Sequence, residues 1–290
     1  MEGGNLKESK AFTLIELLVV IAIIALLMAI LMPALRYAKQ QATGAVCLAN
    51  ERNLILAWHT FPQDNDDNLV GGNPYPGQGN YEISWVQAPQ NDAGEVMLGA
   101  GSQPSATGRL AYEYEVIGIK RGLLWPYLKT PKVYHCPGDQ RKLKTNNQSF
   151  RSYSILWTMN GSYNRSLETD PVYDTGEVAH KYTQIKNAGT KLVFVEDQDD
   201  RGWNMGSWVM MPVGHSWTDS LGLWHVDSGT LAFADGHAER HKWRDKRTIE
   251  YFRNPYDYSF EHSTPDNPNP DLLFVQKAYL PTGRGPGEHN

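Results

Sequence analysis

The longest unbroken pattern in the chain is apolar. From Leu17 to Met32 every side chain is apolar, and the wider run from Phe12 to Leu35 carries a single ionisable group, Glu16. A surface helix of a soluble domain alternates apolar and polar faces; this stretch is apolar all round. A helix over it is about 36 Å long at about 1.5 Å per residue, enough to cross a hydrocarbon core of about 30 Å. Pro33, Arg36 and Lys39 mark its exit.

Beyond Leu35 the pattern becomes amphipathic. Ala38, Ala42, Ala45, Ala49 and Leu56 recur at intervals of three or four, with a gap at Arg52, which predicts a stalk helix over 36–60. Leu54, Ile55, Leu56 and Trp58 are its expected anchors on a globular body. Thr43 and Gly44 weaken the helix locally, so a break there into two helices is the alternative. Residues 70–109 are rich in Gly, Pro, Gln and Ser and read as a surface excursion, with a short strand over Tyr81–Val86. A short helix is expected within 122–129.

Period-two and fully apolar runs follow. A strand within 151–163 closes on Asn160-Gly161, a favoured hairpin turn. Leu192–Glu196 reads as a central strand. Thr230–Ala234 and His237–Trp243 read as paired strands around a two-residue Asp235-Gly236 turn. A loop over 197–220 carries Trp203, Trp208 and Trp217, and Leu272–Gln276 is an edge strand or a strap. The expected fold class is α+β: a long N-terminal helix carrying a head with an antiparallel sheet and long loops. The organisation is a short polar segment over 1–11, a membrane helix over 12–35, a stalk over 36–60, a head over 61–250 and a Pro-rich extension over 251–290.

Composition changes this picture little. The 290 residues are 41% hydrophobic with a formal net charge of −5, so nothing favours a nucleic-acid partner. The two cysteines, Cys47 and Cys136, leave two readings, a bridge in an extracytoplasmic body or a pair of free thiols.

The span begins Ala11-Phe12-Thr13-Leu14-Ile15-Glu16-Leu17. It resembles the N-terminus of type IV prepilins and of the pseudopilins of type II secretion. The resemblance implies cleavage between Ala11 and Phe12 by a prepilin peptidase and methylation of the new amino group. Ala11 departs from the usual glycine before the cut. Glu16 then becomes the fifth mature residue and Pro33 the twenty-second, where that family has its glutamate and its helix-loosening proline. A carboxylate within a bilayer needs a partner, and the Phe12 ammonium of the same or a neighbouring helix supplies one. The implied protein is a single-pass, non-enzymatic subunit of the inner membrane. Its N-terminus is cytoplasmic, its head is extracytoplasmic, and it assembles with other pilin-like subunits through the helix.

Further along, His225 precedes Asp235-Gly236 by nine residues. This is similar to the His-X9-Asp-Gly signature of large prepilin-like proteins abundant in planctomycetes and related bacteria. Cys47-Leu48-Ala49-Asn50, the acidic turn Asp64–Asn68, Cys136-Pro137-Gly138-Asp139 and Phe194-Val195-Glu196 are similar to the same family.

Candidate chemistry is weaker. Asp64, Asp66 and Asn68 offer oxygen ligands suited to calcium, but lack the spacing of a calcium-binding EF-hand loop; Asx-rich turns also form with no ion. His225, His237 and His241 are a candidate metal set near Glu196. The competing reading has His225 hydrogen-bonded to the Asp235-Gly236 turn. No catalytic residue and no organic cofactor is expected. Two rival functions follow. An anchored protein binding polysaccharide or an exported protein would use a solvent-facing row of Trp203, Trp208 or Trp217. An anchored metal-dependent hydrolase would gather the three histidines.

Overall fold

The computed structural model describes residues 13–74, 83–97, 106–139, 141, 150–161, 178–198, 206–255 and 261–282. The expected leader 1–11, the Ala11–Phe12 junction and Trp203 lie outside them. Helix α1, Leu14–Asp64, runs through 51 residues without a break, about 76 Å at about 1.5 Å per residue. Thr13 caps it: the Thr13 hydroxyl accepts from the Glu16 N–H at 3.2 Å, and Glu16 Oε2 accepts from Thr13 N at 2.9 Å. This reciprocal box satisfies two of the open N–H groups at the helix start. Pro33 and Pro62 lie inside the helix. All residues from Leu14 to Gln40 are exposed. Among the described residues α1 is the one helix long and apolar enough to cross a membrane.

Burial begins at Gly44 and continues through Cys47, Glu51, Leu54, Ile55, Trp58 and Phe61. This corrects the expected stalk face. Ala42, Ala45, Ala49 and Leu56 point to solvent, because the face turned to the head is set by Gly44 and Cys47, which sit against head residues. Leu54, Ile55 and Trp58 do anchor the packing, each with no exposed surface.

The head is built on a sheet of order β3-β1-β2-β4-β5. Its strands are β1 Tyr153–Leu156, β2 Leu192–Glu196, β3 Ser207–Trp208, β4 Ser228–Phe233 and β5 Ala238–Lys242. All pairings are antiparallel except the parallel edge pair of β1 with β3. Apolar β2 is the middle strand, buried along its length as its sequence predicts. Helix α1 packs mainly on β4 and β5. The fold is therefore the expected α+β arrangement of a long apolar helix on a sheet-bearing head.

Four local expectations are corrected. The β4–β5 loop has three residues, Ala234-Asp235-Gly236, because Phe233 N donates to His237 O at 2.9 Å. Gly236 holds φ +95° there, the left-handed residue that closes a three-residue hairpin. Asn160-Gly161 does not join two strands; Gly161 N donates back to Trp157 O at 2.8 Å, ending a turn after β1. Within the Tyr81–Val86 stretch the described residues hold a single bridge, Ser84 to Gly71. Leu272–Gln276 lies in helix α5, Pro270–Tyr279, whose start is fixed by Asn269 Oδ1 accepting from Asp271 N and Leu272 N. Pro270 in its first turn needs no hydrogen-bond partner.

Two more helices were not expected, α2 Gly108–Arg121 and α4 Lys246–Arg253, whereas α3 Trp125–Leu128 lies within the short helix expected over 122–129. Glu115 of α2 is buried and accepts from Phe150 N and Arg151 N while pairing with Arg151 at 3.6 Å. Burial pushes the Glu115 carboxyl up, and Arg151 with the two N–H donors offsets this only in part.

Candidate functional site at the stalk–head junction

The short motifs along the chain converge where the stalk meets the head. Cys47 of α1 and Cys136, just beyond the 3-10 turn Pro131–Tyr134, form a disulfide with Cα atoms 5.3 Å apart. That separation is within the roughly 4.4–6.8 Å that a bridge requires. Asn50, one turn further along α1, donates to His135 O at 2.9 Å. The segment after Cys136 is then held by its own polar groups. Cys136 N donates to Ser152 Oγ, Ser152 Oγ donates to Asp139 Oδ2 at 2.8 Å, and Arg141 pairs with Asp139 at 2.6 Å.

His225 wedges into this junction from the loop before β4. Its Nε2 lies 2.9 Å from Glu196 Oε1 at the end of β2 and 3.3 Å from Cys136 Sγ. Its Nδ1 is 3.4 Å from Thr43 Oγ1 on the stalk. Glu196 Oε2 accepts from Thr230 N at 2.9 Å. Both His225 and Glu196 are buried. The ring fits because two neighbours lack side chains. A β-carbon at Gly44 would stand 3.3 Å from His225 Cγ, and one at Gly138 only 2.7 Å from Cε1. Arg240 of β5 clamps the same loop, donating to His225 O and to Gln41 Oε1 of the stalk.

Glu51 lies deeper in the junction. It is buried, neither carboxylate oxygen has a hydrogen-bond partner, and the nearby Thr230 hydroxyl lacks hydrogen-bond geometry. Burial first, then the negative Glu196 carboxylate, push Glu51 well above the usual carboxylate range, and Thr230 opposes them only weakly. Tyr153 is likewise driven up by burial and by Glu196 and Glu51.

The structure separates other residues that the sequence grouped. His225 and the Asp235-Gly236 turn sit at opposite ends of β4, so His225 does not bond that turn; it bonds Glu196. Asp235 instead accepts from His237 N at 3.1 Å and faces His237 Nδ1 at 2.5 Å. His241 stacks on Phe274 with ring centroids 4.4 Å apart. Hence His225, His237 and His241 form no common coordination shell among the described residues.

The acidic turn after α1 is also used internally. Asp64 accepts from Tyr127 Oη at 2.9 Å, Asn68 donates to Asn65 O at 2.9 Å, and Asp66 has φ +52°. Trp208 and Trp217 are buried, not aligned toward solvent.

Cysteine, glycine and glutamate signals were each visible in the sequence, but Gly44 and Gly138 carried no sign of their purpose. The clue was their company: both glycines lie within three residues of the two cysteines.

Comparison with known proteins adds to this geometry. Residues 6–32 match the prokaryotic N-terminal methylation motif. Over 61 residues the chain is also 41% identical to the type IV wide pilus major component PilA4 of Thermus thermophilus. That stretch is 21% of this chain and 47% of the relative, so the chain spans about half the length of the curated relative it matches. No solved structure matches. The methylation motif and this likeness, with a long helix packed on a sheet-bearing head, support a general type IV pilin-like family.

Proposed function

We propose that the chain is a structural subunit of a pilus-like or type II secretion-like envelope assembly, anchored by α1 in the inner membrane. The N-terminus faces the cytoplasm and the head lies outside. A prepilin peptidase cuts between Ala11 and Phe12, and the exposed half of α1 then packs beside the helices of other pilin-like subunits. The observation that carries this reading is the bare apolar helix, uncovered by the head from Leu14 to Gln40. In water so much apolar surface is strongly unfavourable; lipid first and neighbouring helices later would cover it. The methylation motif over residues 6–32 supports processing. The Cys47–Cys136 disulfide supports an extracytoplasmic head and fits a non-catalytic subunit. The His-X9-Asp-Gly likeness supports reading the chain as one of the large prepilin-like proteins.

The test is mass spectrometry of the mature N-terminus after co-expression with a prepilin peptidase. A chain beginning with N-methylated Phe12 is expected; a chain still beginning at Met1 overturns the processing step. Replacing Glu16 should abolish filament incorporation while leaving membrane anchoring intact. Unchanged incorporation would sink the pairing of Glu16 with the Phe12 ammonium as a step in assembly. The burial of Trp208 and Trp217 weighs against the sugar-stacking rival, and the dispersed histidines weigh against the hydrolase.

A further inference from the structure

We infer that, when its cysteines are reduced, the chain binds one divalent ion of the zinc class between Cys47, Cys136, His225 and Glu196. One ligand atom from each residue lies within 4.8 Å of the other three, and all four residues are buried. A tetrahedral shell with bonds of about 2.0–2.3 Å places its ligand atoms roughly 3.3–3.8 Å apart. The measured gaps are already of this order: Cys136 Sγ to His225 Nε2 is 3.3 Å, and His225 Nε2 to Glu196 Oε1 is 2.9 Å. Opening the sulfur–sulfur bond and turning two cysteine side chains completes the shell.

The donor set selects the ion. Two thiolates with an imidazole disfavour calcium and magnesium and suit zinc. The supporting contacts are in place. Thr230 N holds Glu196 Oε2 and leaves Oε1 to ligate. Thr43 Oγ1 faces His225 Nδ1, so a proton kept there leaves the Nε2 lone pair for the metal. Beside the disulfide the buried Glu196 carboxylate is held by the His225 imidazole and Thr230 N; a cation between the sulfurs would offset its charge more fully. Glu51, buried with no hydrogen-bond partner, is a second acidic group whose burial a cation makes less unfavourable. A cleft of 170 Å³ bordered by Thr43, Gly138 and Trp224 lies beside the junction.

Metal and disulfide exclude each other. Each thiol loses its proton when the ion binds. Exchange with a low-molecular-weight disulfide reverses this. One protein thiolate attacks it and expels a small thiolate; the other protein thiolate attacks the mixed disulfide and expels the second. The two cysteines are oxidised, the small disulfide is reduced to two thiolates, and the ion departs.

The experiment titrates cobalt(II) into the full chain in detergent, reduced under anaerobic conditions. Expected is one equivalent bound with a thiolate-to-cobalt charge-transfer band and tetrahedral ligand-field bands, lost on oxidation. Glu196→Gln and His225→Gln should each weaken binding at least about tenfold. Should either variant fail to fold, X-ray absorption of the zinc-loaded wild-type chain decides: two sulfur and two nitrogen or oxygen neighbours support the site. Absence of the charge-transfer band in the reduced chain overturns it. So does a four-sulfur shell, or cobalt affinity unchanged in both folded variants.

Discussion

His225 lies edge-on against Gly138, with Cε1 only 2.7 Å from where a β-carbon at that position would stand. The ring cannot retreat, because Glu196, Cys136 and Thr43 hold its two nitrogens. Gly138→Ala should therefore lower the stability of the head by about 1–3 kcal/mol, the usual range for forcing a carbon into a filled site. Gly44 meets the same ring at 3.3 Å, a contact that a small shift relieves. There an alanine also gains about 1 kcal/mol of helix propensity, so Gly44→Ala should be close to neutral. Denaturant unfolding followed by tryptophan fluorescence measures both. Equal effects at the two positions would mean the ring is not fixed as described.

The Cys47–Cys136 bridge spans a sequence separation of 89 residues and ties the stalk to the head. Closing so long a loop in the unfolded chain is entropically large, and removing such a bridge costs about 2–5 kcal/mol. Cys47→Ser with Cys136→Ser should lower stability by that amount and leave the apolar anchor untouched. Limited proteolysis should then cut between stalk and head faster than in the oxidised chain. Identical proteolysis of the two would show that packing of Leu54, Ile55 and Trp58 alone holds the junction.

With the disulfide intact, Glu51 makes the head sensitive to pH. Its carboxyl is raised well above the ordinary glutamate value of 4.5, so the folded state holds its proton more tightly than the unfolded chain does. The stabilising contribution is complete below about pH 4.5 and is lost as pH rises through the folded value. The groups facing it are Glu196 on β2, Tyr153 on β1 and the Thr230 hydroxyl on β4. Glu115 shifts in the same direction for the same main cause, so it contributes a slope of equal sign. Glu51→Gln should flatten the fall in stability above about pH 4.5 and leave the head more stable than wild type near pH 7. Melting temperatures from about pH 4 to 8 test this; an unchanged slope would place the titration elsewhere.

What the sequence revealed divides along physical lines. The span, the middle strand β2 and the β4–β5 pair rest on local patterns, and those were legible. Helix α5 reads as a strand because a short apolar run such as Leu272–Val275 has no decisive period. The capping signal Asn269-Pro270-Asp271 was nevertheless present. Helix α2 hid among Tyr, Val and Ile, residues of modest helix propensity. The stalk face misleads because its alanine row has the right period, whereas the buried row includes Gly44 and Glu51, which no hydrophobicity pattern selects. The junction joins residues 43, 138, 196 and 225 through tertiary contacts, and such contacts leave no periodic trace.

The His-X9-Asp-Gly signature consists of two separate devices at the ends of β4. His225 serves the junction, while Asp235-Gly236 turns the chain into β5. The strand between them, Ser228–Phe233, is about 17 Å long at about 3.4 Å per residue. Gly236 holds φ +95°, so Gly236→Ala should cost about 1–2 kcal/mol through left-handed strain alone. Asp235→Ala should cost about 0.5–1.5 kcal/mol by removing the acceptor for His237 N. Neither residue touches the groups around His225. Gly236→Ala and Gly138→Ala should therefore add within about 0.5 kcal/mol in a double-mutant cycle. A larger coupling would mean that the hairpin and the junction are one cooperative unit, with β4 transmitting strain between them.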